Sequence, residues 1–146
     1  MPNTDSYLTG LHHQNVDHFA ALVRLALFDN RIDEKEYRLL ERLAIRLDIT
    51  KIEFEAILKN PNNHPIDRPV SYDERLEHLY DLTKMLFLDR NPTIDKTSMM
   101  DRIAVGLGFP VENARAIVKE AIKFFLKEPD VEGFKKAIKK VSPIKH

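Results

Sequence analysis

The chain has 146 residues, 23 basic and 23 acidic side chains, and no cysteine. Without cysteine there is no disulfide framework, thiolate metal site or cysteine nucleophile. Zero formal charge, split as nine bases and twelve acids over residues 1–73 and fourteen and eleven over 74–146, argues against general nucleic-acid binding.

An apolar content of 43% and a charged content of 32% suit a soluble globular protein, and this length suits one domain. Four glycines, no tryptophan and abundant Leu, Ile, Ala, Lys and Glu tilt the chain toward helix. No apolar run approaches the length of a bilayer span, and Met1–Asp5 has neither part of a secretory signal. The expectation is a cytoplasmic protein with no membrane span.

In chain order, a first helix is predicted over about 15–29, apolar almost all round from Val16 through Phe28. An amphipathic second helix follows, with Tyr37, Leu40, Leu43, Ala44 and Leu47 at helical spacing, and a third runs from Thr50 to Lys59. Residues 60–70, with three prolines and three asparagines, read as a stiffened linker. The second half repeats the plan: a helix over about 73–89, one carrying Met99, Met100, Ile103, Ala104 and Leu107, and one over about 110–127. A last helix over about 130–141 places Phe134, Ala137, Ile138 and Val141 on one side and is expected to close the core. Three capping boxes punctuate these elements, at Asp33/Glu36, Thr50/Glu53 and Ser71/Glu74, and Asp95 is placed like a fourth cap.

The two halves are related in sequence. Moved along by sixty, residues 16–59 fall without a gap on 76–119, so that Leu22 meets Leu82, Asp29 meets Asp89, Arg42 meets Arg102, Ala44 meets Ala104 and Leu47 meets Leu107. A period of this length reads as a helical unit that packs against its copy. The predicted architecture is therefore a single all-α domain of about seven helices. It comprises two related three-helix halves, about 15–59 and 72–127, with a closing C-terminal helix.

The stretch from Leu25 to Glu36, with Asp29-Asn30 and then Ile32-Asp33-Glu34, resembles the signature of the TerB-like family, named for tellurite resistance. Leu43 to Thr50 resembles that family's leucine-rich helix end leading into a Ser/Thr cap, and the second half echoes both parts. The resemblance spans about residues 16–126. Asn30 stands where the family usually has glycine, and Asn91-Pro92 is inserted in the second turn. The resemblance implies a bundle of two related helical halves, acidic metal-linked sites, and roles in stress response or as a module fused to other domains.

Two functional expectations follow. The first is a non-enzymatic binding or scaffolding module that presents a surface between its halves to a protein partner, with homo-oligomerisation left open. No glycine-rich phosphate loop, GxSxG turn or cysteine is present to support catalysis. The second is a divalent-cation site for Ca²⁺, Mg²⁺ or Mn²⁺, built from Asp29, Asp33, Glu36, Asp89 and Asp95, because oxygen-only ligands suit hard cations. Helix capping alone would also explain these residue types. His12, His13 and His18, with Asp17 nearby, read as solvated residues of a polar segment rather than zinc ligands. The lysines from Lys135 to Lys145 read as a solvated helix face, with an anionic surface as the alternative.

Overall fold

A computed structural model describes residues 2–69, 71–88, 93–127 and 130–141, with only the backbone given for residues 2–9. Among these residues the protein is all-α, with seven α-helices and no strand. They are α1 (Pro2–Ala26), α2 (Glu34–Arg46), α3 (Lys51–Lys59), α4 (Tyr72–Phe87), α5 (Ile94–Gly106), α6 (Val111–Phe125) and α7 (Val131–Val141). The chain forms two compact units, Met1–Asp67 and Arg68–His146, so the division falls inside the predicted linker.

In the first unit, α1 touches α2, α3 and a 3₁₀ turn at Pro61–Asn63. Its residues Phe19, Ala20, Leu22, Val23, Leu25 and Ala26 are entirely buried, as expected of a helix that is apolar on most faces. Phe54 of α3 packs edge-on against Phe19 of α1 at 5.1 Å and meets Tyr37 of α2 at 5.6 Å, so three aromatic rings join the three helices. The helix begins well before the predicted start. The polar segment around His12 and His13 continues it, held at its side by a bond from His12 Nε2 to Glu53 Oε2 of 2.7 Å.

In the second unit α6 touches α4, α5 and α7. Leu76, Leu79, Leu82 and Met85 of α4 are fully buried, as are Ile117 and Ala121 of α6. Tyr80, Phe125 and Phe134 form an aromatic knot with centroids 5.2–5.8 Å apart. Phe134 and Ile138 of α7 are wholly buried, so this helix covers the core as its apolar stripe requires.

Capping fixes the helix starts. Asp33/Glu36 and Thr50/Glu53 form complete reciprocal boxes, while Ser71 makes the forward half, accepting from Glu74 N at 3.1 Å. At α5 the cap is Thr93 rather than Asp95: its hydroxyl accepts from Lys96 N at 3.1 Å. Asp95 instead lies exposed in the first helical turn, where its charge still complements the helix dipole.

The turns after α2 and α5 are bonded alike, sixty residues apart. Ile49 N donates to Ala44 O at 2.8 Å and Phe109 N to Ala104 O at 3.1 Å. The residues that reverse the chain, Asp48 at φ 59° and Gly108 at φ 108°, both have positive φ.

Candidate functional site

The acidic turn of the first half is built around helix capping. Asn30 adopts φ 66°, so asparagine supplies the left-handed residue that a glycine would otherwise provide. Asp29 is exposed in that turn. Asp33 Oδ1 accepts from Glu36 N at 2.8 Å, and Glu36 Oε1 accepts from Asp33 N at 3.1 Å, which commits one oxygen of each carboxylate to the box. In the second half Asp95 is exposed, and Asp89 lies outside the described residues. Among the described residues, no three His, Cys, Asp or Glu side chains are placed to hold a metal ion.

Of the three histidines of α1, His13 is exposed as expected, but the other two are not simply solvated. His12 is bonded to Glu53, and His18 is 4% exposed. Burial alone would raise Glu53, but hydrogen bonds from Thr50 and His12 outweigh it and hold this carboxyl below its ordinary range.

The linker, moreover, is docked on α1. Arg24 Nε donates to Pro61 O at 3.4 Å, and Arg24 Nη2 donates to His64 O. Beside this clamp Asp17, 2% exposed, faces His64, whose Nδ1 lies 3.3 Å from its Oδ1. Burial, and then the neighbouring Asp67 carboxyl, push Asp17 up to about 6, against the opposing pull of His13 and His64. A carboxyl inside an apolar helix stretch is the local sign of such a cluster. His64 and Asp67 carry no sign of it, because they reach Asp17 only through the fold.

The second half contains an open groove of about 280 Å³ between α5 and α6. Ile94, Val118 and Ile122 give it apolar surface; Thr97, Ser98 and Asp101 line the α5 side, and Arg115 and Lys119 the α6 side. The helical spacing of Ile94 and Ser98, and of Arg115 and Lys119, sets each pair along one wall. Asp101 Oδ2 and Arg115 Nε are 3.7 Å apart, a long ion pair between a partly buried carboxylate and an exposed guanidinium. Thr97 donates its hydroxyl to Ile94 O at 2.9 Å and is thereby turned onto its own helix. Ile94 is 83% exposed, a large apolar side chain held in water at the mouth. The groove offers apolar contact and charges of both signs, but no histidine or cysteine lines it to serve as base or nucleophile.

The C-terminal lysines are partly committed. Lys135 Nζ lies 3.8 Å from Asp73, 3.9 Å from Glu77 and 3.9 Å from Glu132, and Lys139 Nζ lies 3.5 Å from Asp73. These contacts tie α7 to α4. No family model matches the chain, and no curated protein or solved structure matches it significantly.

Proposed function

We propose that the chain is a non-catalytic binding module whose α5–α6 groove receives a short amphipathic segment of a protein partner. One observation carries this reading: an apolar floor of Val118 and Ile122 beside a nearly free Ile94, flanked by cationic Arg115 and Lys119. An apolar residue of the partner would cover Ile94, and an acid would meet Lys119, so that the contact is anchored by burial and oriented by charge. The resemblance of residues 25–36 to the TerB-like signature supports placing such a module in a cytoplasmic stress response.

The test compares capture of partners by wild type, by Ile94→Asp and by Lys119→Glu. Ile52→Asp, in the first half and also at an 81% exposed isoleucine, serves as the control. A partner held by wild type and the control but lost from both groove variants supports the reading. Retention by both groove variants overturns it.

A further inference from the structure

Two arginines lie at the turn between α5 and α6, and among the described residues no carboxylate pairs with either. Arg75 of α4 is 3% exposed. Its guanidinium carbon lies 5.5 Å from the centre of the Tyr72 ring and 5.6 Å from that of Phe109, and Nη1 donates to Gly108 O at 3.4 Å. Its Nε is buried with no acceptor. Arg68 lies against the same glycine: a β-carbon on Gly108 would fall 2.8 Å from Arg68 Nε and 3.0 Å from its Cγ. Burial, and then the cation of Arg68, draw the Arg75 guanidinium below its usual range. Among the described residues neither arginine is paired with a carboxylate.

We propose that Arg68 and Arg75, converging on Gly108, form a binding site for a small oxyanion, the group shared by phosphates and carboxylates. Guanidinium forks match such oxygens in pairs, and a bridging anion turns the repulsion of two adjacent cations into attraction. A structural role accounts for Arg75 alone, wedged between two rings and fastening a turn. It does not account for Arg68, which lies beside a like charge.

The first half sharpens this contrast. Asn15, sixty residues before Arg75, donates to Leu47 O at 3.3 Å, so a neutral amide bonds a carbonyl of the equivalent turn. The charge at position 75 therefore exceeds what holding the turn demands. Gly108 contributes by absence: with no β-carbon, it lets the Arg68 side chain lie flat over the turn. With so little of Arg75 at the surface, the ligand is a single small head group rather than a polyanion.

Calorimetric titration of the full chain with inorganic phosphate and, separately, with acetate tests the site, against chloride at matched ionic strength. The expected result is saturable binding of at least one anion. Arg68→Ala should weaken it about tenfold or more, as loss of a charge-assisted bond implies, with Arg68→Lys between the two. Without anion, Arg68→Ala should melt no lower than wild type, since a repulsion has been removed. Binding of phosphate alone assigns a phosphoryl ligand, and of acetate alone a carboxylate. Absence of saturable binding by either anion, or equal binding by wild type and Arg68→Ala, overturns the proposal.

Discussion

His64 Nδ1 stands 3.3 Å from Oδ1 of the buried Asp17, so a residue of the connecting segment faces a carboxyl deep on the first helix. With its pKa raised from 3.8 to about 6 by burial and by Asp67, Asp17 holds a proton more firmly folded than unfolded. The sign follows: stability falls as pH rises from about 3.8 to about 6, because the unfolded chain ionises first, and then levels off. The full difference is about 3 kcal/mol. Asp17→Asn should therefore raise the melting temperature at pH 7 and change it little at pH 4, measured by thermal melts across that range. An equal effect at both pH values would show that Asp17 is not the titrating group.

The caps make a second, separable prediction. Asp33→Ala removes the bond to Glu36 N and should cost about 1 kcal/mol, whereas Asp95→Ala, exposed and outside the cap, should cost under about 0.5 kcal/mol. Chelator-stripped protein titrated with Ca²⁺, Mg²⁺ or Mn²⁺ should melt unchanged if Asp33 and Glu36 serve only as a cap and Asp29 and Asp95 only face solvent. A saturable rise with one ion, lost in Asp29→Ala, would give these carboxylates a cation instead.

The two equivalent turns should respond in opposite directions. Asp48 at φ 59° bears a side chain where glycine is easier, so Asp48→Gly should stabilise by about 0.5–1 kcal/mol. Gly108→Ala meets both the positive φ and the Arg68 side chain and should destabilise by more than about 1 kcal/mol. Adding Arg68→Ala should recover part of that loss but not the backbone share. Full recovery in the double variant, read by denaturant unfolding, would mean that the contact alone decides.

The closing helix offers a fourth prediction. Phe134→Ala empties a fully buried site touching Tyr80 and Phe125 and should cost about 3–5 kcal/mol. Lys139→Ala, half exposed and 3.5 Å from Asp73, should cost under about 1 kcal/mol and lose even that in high salt. If the two variants melt alike, α7 is held by charge rather than by its apolar face.

Much of the fold was readable from local chemistry. The starts of α2 and α3 are where Asp33/Glu36 and Thr50/Glu53 put them, because a reciprocal cap is a short-range interaction written in four adjacent residues. The apolar stripe of α7 likewise announced its buried side. The start of α1 lies earlier than its apolar rhythm predicts because its first turns lack that rhythm, and α5 is capped by Thr93 rather than Asp95, both competent cap residues two positions apart. Of the candidate sites, the acidic turn could be located but not weighed. The Asp17, His64 and Asp67 cluster joins a helix to residues far along the chain, where spacing carries no information, and Arg68 and Arg75, though seven residues apart, are related only through Gly108, thirty-three residues beyond Arg75.

The sequence correspondence between the two halves ends at Lys59, but the first unit does not. Arg24 grips the carbonyls of Pro61 and His64, and Asp17 depends on His64 and Asp67 for its surroundings. The eight residues after the repeat thus serve as a strap buckled across α1. A fragment cut at residue 59 would bare a carboxyl and a guanidinium that the intact chain keeps covered, while one cut after residue 67 would carry its fastening with it. The end of the sequence correspondence and the mechanical joint of this chain lie eight residues apart.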